Sequence, residues 1–205
     1  MKSLVSLILV LVYILQLTDA ATDAVPPNCL GKTFNVDPFF CCKTPKLLDE
    51  AVVKQCLQLF PPPSNQKDDI KPDCMSECVM NRTGIFNRKS SVVDDKAMNV
   101  FTDNLEENSL WVQVVETAVK ECLDQANSRK QVFDTDMSTL KKRFNNDRIC
   151  SPAAGFIMEC VHVSVYKNCP AKIFKSSDTG CAAIKKHLTQ CPFFTIFPDG
   201  NTKKN

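Results

Sequence analysis

Twelve cysteines in a chain of 205 residues, at positions 29, 41, 42, 56, 74, 78, 122, 150, 160, 169, 181 and 191, constrain this sequence more than any other feature. An even, dense set reads as a disulfide framework built in an oxidising compartment. Each bridge adds ~2–4 kcal/mol, mainly by restricting the unfolded chain. Zinc is the rival use of so many thiols. No Cys-x-x-Cys occurs, and His162 and His187 lack ligand spacing with any cysteine pair, so neither a metal nor another cofactor is expected.

The amino terminus fits that compartment. Lys2 precedes an almost unbroken apolar run from Leu4 to Leu17, and Thr18-Asp19-Ala20 supplies small residues at the positions that precede a cleavage site. This pattern predicts a secretory signal peptide over 1–20, followed by one secreted, extracellular domain over 21–205. The run is shorter than the ~20 residues a membrane-spanning helix requires, and no later stretch is long and apolar enough, so membrane insertion is not expected. A formal net charge of +2, with both signs interspersed, gives no nucleic-acid footprint. Lys141-Lys142-Arg143, the longest cationic run, reads as a solvated helix face.

Helical periodicity recurs along the chain and strand alternation does not. Thr44-Pro45 resembles an N-cap with proline at the first helical position, and Leu48, Val52, Val53, Cys56 and Phe60 then share a face until Pro61-Pro62-Pro63 ends the helix. Further helices are predicted from near Pro72 to before Gly84, over 91–103, from Leu110 to Gln125 with Asn108-Ser109 as cap, and over 134–145. Two more run from Ser151-Pro152 through Tyr166 and from Asp178 through Leu188. Seven helices without a convincing strand predict an all-α fold. Cys74 and Cys78, four residues apart, fall on one face of one helix, so each must reach a different neighbour.

From Cys56 the intervening residues number 17, 3, 43, 27, 9 and 8, ending at Cys169, which Pro170 follows directly. This spacing closely resembles the Plus-C branch of the insect odorant-binding proteins, over nearly the whole span from Cys29 to Cys191. The resemblance implies a disulfide-stapled helical fold of about six to eight helices. Its core would run over about 45–170, with an extra N-terminal segment and a C-terminal extension over 171–205. It also implies six core cysteines, Cys56, Cys74, Cys78, Cys122, Cys160 and Cys169, paired as Cys56–Cys78, Cys74–Cys160 and Cys122–Cys169. Cys29, Cys41, Cys42, Cys150, Cys181 and Cys191 are then left to pair among themselves in an order that spacing does not decide. Adjacent Cys41 and Cys42 point apart and are expected to hold the N-terminal segment at two places.

The function implied is a secreted carrier of small hydrophobic molecules, odorants or semiochemicals, through aqueous sensillar lymph towards membrane receptors. Any contact with an olfactory receptor would be indirect, and a homodimer is a further partner to consider. Helix faces shared with the core cysteines nominate Val52, Phe101, Trp111, Val115, Phe156 and Ile157 as ligand-binding, with Phe193, Phe194 and Phe197 of the tail folding over an opening. Ordinary core packing is the competing account of every one of these positions. The ligand would lie in a central cavity, a surface groove or between two copies. Asn81-Arg82-Thr83 is a glycosylation sequon. The two histidines are candidate loosening points in acidic lymph, although His162, within an apolar helix, reads first as a structurally satisfied residue.

No catalytic residues are expected. A disulfide-rich helical phospholipase needs a His beside a cysteine pair and a glycine-rich calcium loop, whereas Cys41-Cys42-Lys43-Thr44 has no histidine nearby and the chain has five glycines. Every cysteine is wanted for a bridge, which leaves none as nucleophile. The alternative to the carrier is a secreted helical interaction protein without a small-molecule pocket.

Overall fold

The computed structural model describes residues 26–61, 74–87, 92–144, 149–191 and 193–196. The predicted signal peptide lies outside the described residues. Among the described residues eight α-helices follow in order: α1 (Pro38–Cys41), α2 (Glu50–Leu59), α3 (Cys74–Thr83), α4 (Asp94–Thr102), α5 (Val112–Ser128), α6 (Lys130–Arg143), α7 (Pro152–Lys167) and α8 (Thr179–Leu188). Short 3-10 turns occupy Pro27–Cys29 and Phe193–Ile196, and the described residues contain no strand beyond an isolated Phe86–Val92 bridge. The all-α expectation holds.

Several helix starts differ from the periodicity reading. α2 begins at Glu50 and not after Thr44-Pro45, because the Asp49 carboxylate accepts from the Ala51 and Val52 amides at 2.7 and 3.2 Å and so satisfies two donors of the first turn. α6 begins at Lys130, four residues earlier than predicted, because α5 extends to Ser128 and Arg129 alone separates the two helices. The Arg129 amide closes α5 on the Gln125 and Ala126 carbonyls, while its own carbonyl accepts from Phe133 in α6. Gly84, at φ +77°, ends α3 as expected, in a conformation that only glycine adopts without strain. Ser151 precedes α7 without a side-chain cap, and its amide instead donates to the Glu77 carboxylate of α3. Asp178 caps α8, accepting from the Cys181 amide at 3.0 Å.

Two compact units divide the chain, one comprising residues up to Asn35 together with those from Ala183, the other Val36–Ala182. In the larger unit α5 packs on α4 and α7, α3 packs on α2 and α7, and α6 rests on α5 and α7. The apolar periodicity of α5 puts Val115, Ala118, Val119 and Cys122 in the core, where Phe101 of α4 and Ile157, Val161 and Val165 of α7 are also fully buried. Each such aliphatic or aromatic side chain contributes ~1.5–3 kcal/mol by leaving water. α1 is fixed to α7 by the Tyr166 phenol, which donates to the Pro38 carbonyl at 2.7 Å. Burial first, and the nearby Asp37 carboxylate second, push that phenol up to about 12, so it stays protonated and keeps donating. Close approach also explains Gly180: a Cβ there would lie 2.8 Å from Val36 Cγ1.

All twelve cysteines are bonded: Cys29–Cys191, Cys41–Cys181, Cys42–Cys169, Cys56–Cys78, Cys74–Cys150 and Cys122–Cys160. Two of the three bridges implied by the resemblance are therefore corrected, since Cys74 takes Cys150 in place of Cys160, and Cys122 takes Cys160 in place of Cys169. The helix rise explains why. Cys150 sits just ahead of α7, where Glu77 and Ser151 hold the start of that helix beside α3, with the Cys74 and Cys150 Cα atoms 5.1 Å apart. Cys160 lies ten residues further on, roughly 15 Å along the helix at ~1.5 Å per residue, beyond the ~7 Å limit of a bridge from Cys74. It faces Cys122 in α5 instead, with Cα atoms 5.8 Å apart. Cys169, past the end of α7, bonds Cys42. The extra cysteines consequently do not pair only among themselves. Cys41 and Cys42 do diverge to two places, Cys181 and Cys169.

In the smaller unit the Cys29–Cys191 bridge joins the two chain segments. Within it His187 is buried, its Nε2 hydrogen-bonded to Thr195 Oγ1 at 2.8 Å and its ring met edge-on by Phe34 at 5.2 Å between centroids. His162, by contrast, is exposed on α7 with Nδ1 bonded to the Met158 carbonyl at 2.8 Å. Asn81 of the sequon is exposed on α3.

Two outcomes are expected. A protease cleaving after Glu77 and Glu159 separates Cys74 from Cys78 and Cys150 from Cys160, so mass mapping without reduction should find Cys74 linked to Cys150; a Cys74–Cys160 peptide would contradict the frame. Burial first, and then the charge of Lys32, hold His187 below the ordinary 6.5. The unfolded chain therefore takes up more protons than the folded one as pH falls below about 6.5, and folding stability drops in that window. Denaturant midpoints at pH 7.5 and 5 should show a smaller acid loss for His187→Asn than for the parent.

Candidate ligand seam between α6 and α7

Nomination by cysteine-bearing helix faces gathers residues from three different environments. Phe101, Val115 and Ile157 are fully buried, and Trp111 nearly so, in the layers where α5 packs on α4 and on α7. Val52 is half-buried on α2. Phe156 is half-buried on α7 and turned towards α6, its ring 5.5 Å from that of Phe133 at an interplanar angle of 48°. Phe193 and Phe194 belong to the second 3-10 turn, with side chains outside the described residues, as is Phe197 altogether.

α6 is unlike the other helices. Among the described helices it alone has neither a cystine nor a buried residue. Apart from the exposed Val132, its apolar side chains are nevertheless ordered: Phe133, Met137 and Leu140, with Phe144 just beyond the helix, recur at four, three and four residues and so form one stripe. All four are half-buried. α7 has two apolar faces to match. Ala154, Ile157, Val161 and Val165 are sealed in the core, whereas Ala153, Phe156 and Val163 form a second, half-buried row rotated away from it. The Phe133–Phe156 contact is where the two half-buried rows meet. Arg129, at the joint between α5 and α6, lays its guanidinium over the Phe156 ring at 5.2 Å.

This seam retains apolar surface that the α4–α5–α7 core has already lost. A small apolar molecule lying along it would remove water from both rows, at ~25 cal/mol per Å². α6, bound to its neighbours by half-buried contacts alone, is the described helix that costs least to displace. The spacing of Phe133, Met137, Leu140 and Phe144 is plain in the sequence. Judging α6 by its polar outer face, and taking cysteine-bearing faces as the guide, passed over it. No cluster of three or more metal-binding side chains occurs among the described residues.

A family model described as AgamOBP47-like matches residues 45–187, most of the chain. Odorant-binding protein 47 of Anopheles gambiae is 24% identical over 159 residues, covering 75% of this chain and 68% of that protein. General odorant-binding protein 67 of the same species is 25% identical over 182 residues, covering 84% of this chain and 82% of the relative. General odorant-binding protein 68 is 25% identical over 193 residues, covering 90% and 84% respectively. With a helical fold held by six cystines and a family match that takes in every helix from α2 to α7, the chain belongs to the AgamOBP47-like family of twelve-cysteine, Plus-C odorant-binding proteins.

Proposed function

We propose that this protein is a secreted carrier that takes up small hydrophobic molecules, odorants or semiochemicals, at the α6–α7 seam and moves them through aqueous sensillar lymph towards membrane receptors. The observation that carries this reading is the pair of half-buried apolar rows meeting at Phe133 and Phe156 in a member of the odorant-binding family. Family membership supports the class of ligand, and the seam supplies accessible apolar area that the sealed core does not. The bridges agree with an oxidising, extracellular setting. Among the described residues no helix is long and apolar enough to cross a membrane, which suits a carrier.

Displacement of a fluorescent naphthylamine probe from the oxidised protein tests this. Saturable uptake with displacement by small volatiles is expected. Truncating a half-buried phenylalanine in the seam removes ligand contact worth about 1 kcal/mol, part of the ~1.5–3 kcal/mol of a fully buried one, so Phe156→Ala should weaken uptake about fivefold. Phe39→Ala, at an exposed position outside the seam, should leave it unchanged. No uptake by the fully oxidised protein at any pH would transfer the reading to a secreted helical interaction protein.

A further inference from the structure

Arg129 adds a polar end to an otherwise apolar seam. Its guanidinium stacks on Phe156, and it makes no ion pair among the described residues. Asp134, the carboxylate one turn into α6, is already bonded to Lys130 Nζ at 3.0 Å. A cation with no ion-pair partner among the described residues therefore stands at one end of a row of apolar side chains. From Phe133 to Leu140 that row extends about 10 Å, at ~1.5 Å per residue. The guanidinium lies over the ring at 5.2 Å from its centroid on an exposed side chain, so its N–H donors can meet a carboxylate in pairs.

Building on the carrier reading, we infer that Arg129 selects the head group of the ligand, and that the seam takes a medium-chain alkyl carboxylate, with the chain laid between the Phe133–Leu140 row of α6 and the Phe156 row of α7. The apolar rows supply affinity for any chain of that length. Arg129 supplies the preference for an anionic end. Because the site is partly open to water, the preference is modest and sensitive to salt.

Probe displacement by decanoate and by decanol, which differ at the head alone, separates the two contributions. At low ionic strength decanoate should bind about two- to fivefold more tightly than decanol. Arg129→Gln should abolish that difference by weakening decanoate while leaving decanol unchanged, and Arg129→Lys should restore part of it. Raising salt should shrink the difference in the parent protein, a readout that needs no variant. Equal binding of both ligands by the parent, or equal weakening of both by Arg129→Gln, would overturn the head-group assignment and leave the carrier intact. Displacement by neither would overturn the carrier reading, and this inference with it.

Discussion

Three cystines converge on α7, one ahead of it at Cys150, one in its middle at Cys160 and one past its end at Cys169. They hold it to α3, to α5 and to the segment following α1, so this 16-residue helix is fixed at three levels along its axis. Everything else in that unit is placed relative to α7. The core forms where α5 is held flat against it by Cys122–Cys160, and the start of the helix is set by Cys74–Cys150 together with the Glu77–Ser151 hydrogen bond.

Such a frame changes what packing has to accomplish. Ring closures spanning sequence separations of 22 to 162 each remove unfolded-state freedom, so the apolar core is relieved of being the sole source of stability. One apolar face of α7 is spent on that core. The other face is left half-covered by α6, a helix tied by no cystine, and exposure of this kind is tolerable because the fold does not depend on sealing it. A single helix thus has one sealed face and one half-open face.

Much of this was legible in the sequence. The helical class, the stop at Gly84, the Asp178 cap and the single helix carrying both Cys74 and Cys78 follow from local chemistry, which periodicity and capping residues report directly. The pairing was less so. Cys150-x9-Cys160 and Cys160-x8-Cys169 differ by one residue, so spacing cannot say which pair completes the core, whereas in three dimensions ten residues of helix put Cys160 out of reach of Cys74. The interlocked order itself survives once Cys150 and Cys160 are counted as the fifth and sixth core cysteines. The nominated ligand residues split for a related reason. Period marks which side chains face inward, but Phe101 and Phe156 have the same apolar signal, and only the packing of α4 and α6 tells a closed face from an open one.

The absence of buried side chains on α6 has a consequence for how such proteins diversify. Replacing Phe133, Met137 or Leu140 by another apolar residue alters the seam while forfeiting little folding free energy, since none of the three fills a space in the core. The positions that would meet a ligand are thus mutationally cheap, and those that maintain the scaffold are expensive. A lineage of carriers can explore new chemical repertoires through one untethered helix without renegotiating the architecture that bears it.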